Sequence, residues 1–520
     1  MVPGSPRNPF AAPPAPEQLG QYPSFHVLDK WRWTDTLPPG PKPQPPEADD
    51  QLGLVPGREF RLTTGACTNC RIPAPALWYF RNEIIAIPES AVSDQGADGH
   101  GAAPLLGYPL FAWIQAPQVI EHATLADHGR ALSVNGHSID LAITPRLATN
   151  NAYVDESTLQ FFQDHRLRVR GVFAGKPGHS MFVARSFWPE DANISDPAAL
   201  TLKPLKKGEY LGSLVQAQPL GSQGLFPVRL LWERHPGEPR HWAGQPVVAF
   251  LLSGSEAEDD LSLAGHDAVA TGRFGPHGEW YDWLVNNFYP LDTISAKGIL
   301  SAAVPMDNYL FEFNSGEAYY RPGYMLVAVL GHPTVADLIQ QAMRQEMTRY
   351  YCRDLKFNLA TQNSTAFSID PLRALGWRIP TTGATSYLAS LPAVPITALV
   401  ELNLLRGVQA FRFLTEEQTR LMPRQAFEVL GQDLLYLASA SMTSNRGKLT
   451  PFERMLADDV EAVLFVRIPQ VPSSRPLGSY PLLSLIDYGA RIYTQPGPLK
   501  RISGGGTRRL PKSLEHACRP

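Results

Sequence analysis

Two uninterrupted apolar runs, "PVVAFLLSG" at 246–254 and "YMLVAVLG" at 324–331, constrain this chain more than any other feature in it. Each has the length of a buried strand. Neither approaches the roughly 18 apolar residues that a membrane helix needs, so no transmembrane segment is expected. "PVVAFLLSG" reads as the central strand of a sheet. "GHDAVATGRFG" reads as a second strand and "EWYDWLVNNFYP" as a third, after a "PHG" turn at 276–278. "GYMLVAVLG" is another, and the helical pattern "TVADLIQQAMRQEMTRYY" follows it, with Val335, Leu338, Ile339, Ala342 and Met343 on one face.

These strands sit in a chain of 520 residues, too long for one ordinary core, so several domains are expected. Residues 1–58 are Pro-rich and read as a disordered arm, with "TLPPGPKPQPPEADD" as its extreme. From 59 to 205, short apolar stretches alternate with Gly, Pro, Asn and Asp breaks, which suggests a β-rich domain. Residues 206–395 mix strands and helices. From 396 to 500 helical patterns dominate, including "ALVELNLLRGVQAF" and "PFERMLADDVEAVLFV", and 501–520 reads as a disordered tail. The expected class is α+β and multidomain.

Composition excludes some functions. Hydrophobic residues make up 44% and charged residues 18%, as in a folded soluble protein, and the net charge of −3 is spread along the chain. A nucleic-acid partner would ask for a basic stripe, and none is present. The N-terminus has no apolar h-region, so a cytoplasmic location is the expectation. Cys67 and Cys70 form a C-x-x-C, but prolines follow at once and no further pair completes a zinc site. No metal and no cofactor are expected. There is no phosphate loop, no H-E-x-x-H helix, no G-x-S-x-G elbow and no dinucleotide fingerprint.

Two stretches remain with chemistry in them. "AGHDAVATGRF" starts a strand with His266. "QNSTAFSIDPLRALGW" carries Asn363 and Ser364 where a helix begins. Between them "WLVNNFYP" sets Asn286 and Asn287 among apolar neighbours. A nucleophile at a helix N-terminus meets unpaired N–H groups, an imidazole on a neighbouring strand can take its proton, and an amide on the next strand can orient the imidazole. Strand alternation lets only one of Asn286 and Asn287 face such a site. Pro371 leaves two local readings open. A helix starting at Ser364 would contain the proline. A helix capped by Asp370 would put Pro371 at its first position and leave Ser364 in a loop.

The order His266, then Asn286 or Asn287, then Ser364 after an Asn resembles circularly permuted papain-like enzymes, the group related to NlpC-type peptidases and lecithin retinol acyltransferase. The resemblance covers about residues 245–380. It implies a hydrolase or acyltransferase acting on an amide or ester of a small-molecule, peptide or lipid substrate. In it Ser364 is the nucleophile, His266 the general base, and Asn286 or Asn287 the orienting residue. Ser stands where the family has Cys, and a hydroxyl does not ionise beside an imidazolium as a thiol does. The alternatives are a catalytically inactive papain-like binding or scaffold protein, and a Ser364 that merely caps a turn. "DNYLFEFNSGEAYYRPGY" could wall a substrate cleft through Asp307, Asn314, Tyr319 and Arg321, or pack on its own rings.

Overall fold

The computed structural model describes residues 118–143, 156–176, 179–191, 200–215, 227–254, 265–289, 301–311, 322–351, 361–383, 387–400, 402–440 and 447–472, with short strands between 25 and 115 and a few residues elsewhere. Its largest element is a nine-stranded sheet. The strand order is Val228–Glu233, Val460–Ile468, Gly323–Leu330, Pro246–Ser253, His266–Arg273, Leu284–Asn287, Ala302–Pro305, Ala112–Gln115, Ile84–Ala86. All neighbours are antiparallel except Ala302–Pro305 with Ala112–Gln115.

The apolar runs lie at the middle of this sheet because both of its faces are covered. On Pro246–Ser253, Val247, Ala249 and Leu251 enter one core while Val248, Phe250 and Leu252 enter the other. On Gly323–Leu330, Met325, Val327 and Val329 oppose Tyr324, Leu326, Ala328 and Leu330 in the same way. A strand with apolar neighbours on both sides has no position for a polar residue, so the usual alternation is lost.

The first core lies between this sheet and a six-stranded one. There Gln118–Ala126, Ala131–Val134, His137–Ile143, His179–Pro189 and Leu167–Lys176 form a ring that closes where the last pairs with the first, and Phe25–Val27 adds at Gln118–Ala126. Trp188 meets Trp280 edge to face across the gap, with ring centroids 4.6 Å apart. The second core lies between the large sheet and the helices Thr334–Tyr351, Ser364–Ala374, Pro423–Ala440 and Pro451–Asp459. The molecule is thus α+β. Its first core draws residues from both sides of position 205, and its second from both sides of 395.

Two C-terminal stretches differ from their helical reading. "PFERMLADDVEAVLFV" is a helix only over Pro451–Asp459, started by the Thr450–Glu453 capping box. The chain then becomes the strand Val460–Ile468, which enters the sheet between Val228–Glu233 and Gly323–Leu330. A β-branched and aromatic run that fits a buried strand position wins there over helical periodicity. "ALVELNLLRGVQAF" is broken at Leu402, whose φ is +49°, and Asn403 caps a new helix with its side chain accepting from Leu405 N.

Candidate functional site

Gly265 has a φ of +100°, which an L side chain rarely adopts, and turns the chain into the strand that His266 opens. His266 is buried, and its Nε2 lies 2.7 Å from Asn287 Oδ1. In that bond Nε2–H donates and the amide oxygen accepts, which holds the proton on Nε2. The Tyr309 ring lies 6.5 Å from the imidazole, centroid to centroid. Tyr309 belongs to the first core, as do Ala268 and Ala270, which share a face of the strand with His266.

Asn286 projects from the other face. Its Nδ2 donates to Val269 O and to Gln340 Oε1, while Gln340 Nε2 donates back to Asn286 Oδ1 at 3.0 Å. Thr271 Oγ1 donates to the same Gln340 Oε1 at 2.7 Å. The paired amides fasten the Thr334–Tyr351 helix to the sheet, so Asn286 is a structural tie rather than a partner of His266.

Ser364 also lies on that second face. Its helix, Ser364–Ala374, starts at the serine and contains Pro371, so the reading in which Asp370 caps the helix is corrected. The cap is Asn363: its Oδ1 accepts from Thr365 N at 3.1 Å and Ala366 N at 3.3 Å, and its Nδ2 donates to Leu421 O at 2.9 Å. The oxygen of that amide caps the helix, and its nitrogen ties the cap to Leu421. Phe367, Ile369 and Leu372 of this helix pack into the second core. The helix meets the His266 strand through Asp267, Thr365 and Ser368. Asp267 must point away from His266 because successive side chains of a strand alternate. His266 thus faces the first core beside Tyr309, while the helix that Ser364 opens packs in the second core, on the other face of the large sheet.

Asp307 is buried and spoken for as well. Its Oδ2 accepts from Arg168 Nη1 at 2.9 Å and Arg170 Nε at 2.7 Å, and its Oδ1 from Asn308 N at 2.9 Å. Both arginines come from Leu167–Lys176, so this carboxylate joins the two sheets instead of lining a cleft. Asn314, Tyr319, Arg321 and Cys67 lie outside the described residues.

Asp267 is the chemically unusual residue that residue order did not single out. Burial pushes its carboxyl up to about 8, against an opposing pull from the Thr365 and Ser368 hydroxyls. Its Oδ1 and the Thr365 hydroxyl are both buried without a well-formed hydrogen bond. A cavity of about 20 Å³, otherwise lined by apolar groups such as Phe250, Val269 and Leu430, opens beside Asp267 and Ser368. One signal was available: an Asp directly after the His of an apolar strand must lie on the opposite face. Among the described residues no three His, Cys, Asp or Glu side chains gather as a metal site. No protein-family model, curated protein or solved structure matches this chain.

Proposed function

We propose that this protein is a catalytically inactive binding or scaffold protein whose papain-like order of residues no longer builds a nucleophilic site. One observation carries the reading: the imidazole of His266 and the helix bearing Ser364 contact opposite faces of the nine-stranded sheet. A serine nucleophile needs a base within about 3 Å to take its proton as it attacks. A layer of backbone between the two groups denies it that base. His266 and Asn287 then serve as a satisfied polar pair in a buried strand, and Ser364 as the first residue of a capped helix.

Covalent labelling tests this. A fluorophosphonate probe is expected to leave the wild-type protein unmodified. In Ser364→Cys the new thiol is expected to react sluggishly with iodoacetamide, as a buried cysteine without a neighbouring imidazole does. Labelling of the wild type that disappears in Ser364→Ala would overturn the proposal. So would a fast Ser364→Cys thiol that His266→Ala slows.

A further inference from the structure

The segment 387–415 forms two helices, Tyr387–Val400 and Leu404–Thr415, that pack on each other and extensively on no other described element. Gly407 sets their close approach. A Cβ there would lie 2.6 Å from Val394 O and 3.2 Å from the Ala398 Cβ, so only glycine lets the second helix seat on the first. The first helix contains no charged residue, and neither helix contains an acidic one.

The outer surface of this hairpin is apolar and open. Leu388, Leu391, Leu399, Leu402, Leu404 and Leu405 are all more than 60% exposed, and Leu402 at the tip reaches 90%. At about 100° per residue, the exposed apolar side chains of the first helix spread over about half of its circumference. The tip and the second helix continue the surface. A groove or a second copy of the chain covers one face of a helix, whereas this surface wraps around an end. An apolar medium on all sides fits it better.

Charge points the same way. Arg406 and Arg412, both exposed, are the only charged side chains within the two helices, with the single acidic residue of the segment, Glu401, between the helices in sequence, and cations on long stems can reach headgroup phosphates while their helix lies deeper. The first helix, about 21 Å long at 1.5 Å per residue, is too short for a hydrocarbon core of about 30 Å. No helix among the described residues is long and apolar enough to cross a membrane. We infer that the 387–415 hairpin seats in one leaflet of a phospholipid surface, with its leucines in the acyl region and Arg406 and Arg412 at the phosphates. The inference is independent of whether Ser364 reacts.

Flotation of the full chain with phosphatidylcholine–phosphatidylglycerol vesicles tests it, alongside the triple variant Leu402→Ser, Leu404→Ser, Leu405→Ser. The wild type is expected to rise with the vesicles. The variant is expected to lose about tenfold or more of the bound fraction, because insertion scales with buried apolar area. Its melting temperature is expected to match the wild type, since those side chains touch solvent. A wild type that stays with the soluble fraction overturns the inference, as does a triple variant that floats equally well. A wild type that ignores vesicles but self-associates through the same leucines assigns the surface to a second copy and overturns it too.

Discussion

At the scale of single residues, Asp267 and Asn363 show most clearly what the fold asks of a side chain. Asp267 holds its proton in the native state up to about pH 8, whereas an unfolded carboxyl releases it near about pH 3.9. Between those values the native state binds the proton and the unfolded state does not. Stability therefore falls as pH rises through that window and levels off above it. Asp267→Asn keeps the shape of the protonated acid and removes the titration. Its melting temperature is expected to fall less than the wild type's between pH 5 and pH 8, so thermal melts at the two pH values check the sign. Equal falls in both proteins would mean that the carboxyl is already ionised in the fold. Asn363→Ala deletes the cap of the Ser364 helix and its bond to Leu421, at an expected cost of about 1–2 kcal/mol by urea denaturation. Residue order made His266 and one of two adjacent asparagines candidates for a pair, and alternation required that only one face the histidine. Which face carried Ser364 was not legible. A helix about a hundred residues downstream can pack on either side of a sheet, and nothing local to "QNSTAFS" selects one.

Among the polar ties between elements, the reciprocal amide pair of Asn286 and Gln340 is the clearest. The Thr334–Tyr351 helix was readable from its apolar face, and Val335, Ile339 and Met343 are indeed fully buried. Its polar counterpart, Gln340, was invisible because its partner lies 54 residues upstream. Removing either amide takes the reciprocal bonds from the other, leaving Asn286 only Val269 O or Gln340 only the Thr271 hydroxyl, so each single substitution to Ala is expected to cost about 1–3 kcal/mol. The double variant is expected to cost clearly less than the sum, because the bonds between the two amides are lost in each single variant and counted only once in the double. A double-mutant cycle in urea measures this, and additive losses would mean that the amides act separately. The strand Val460–Ile468 was misread for a related reason. "ADDVEAVLFV" satisfies helical spacing as well as strand alternation, and its sheet partners Val228–Glu233 and Gly323–Leu330 lie far away in sequence.

At the scale of the molecule, two sheets whose strands interleave along the chain share one core, and a buried ionic cluster crosses between them. Asp307 meets Arg168 and Arg170 across sequence separations of 139 and 137 residues. Arg168 lies over the Tyr281 ring at 3.8 Å, and Asp282 lies 3.4 Å from Arg168 and 3.5 Å from Arg170. Taking such charges out of water is costly, and their mutual attraction offsets that cost only while the set is complete. Asp307→Ala leaves two guanidinium groups facing a site without its carboxylate, with the partly exposed Asp282 too far away to replace both short bonds. The expected loss is about 3–5 kcal/mol, seen as a lower denaturation midpoint. Replacing the three buried members, with Arg168→Met, Arg170→Met and Asp307→Leu, removes the buried charges with their desolvation cost and leaves only the partly exposed Asp282 and Glu121. That variant is expected to recover most of the loss. If it is no more stable than Asp307→Ala, the arginines hold the sheets together through bonds other than those to Asp307. If Asp307→Ala itself costs little, the two sheets are joined by their apolar faces alone, and the Trp188–Trp280 contact becomes the next place to cut.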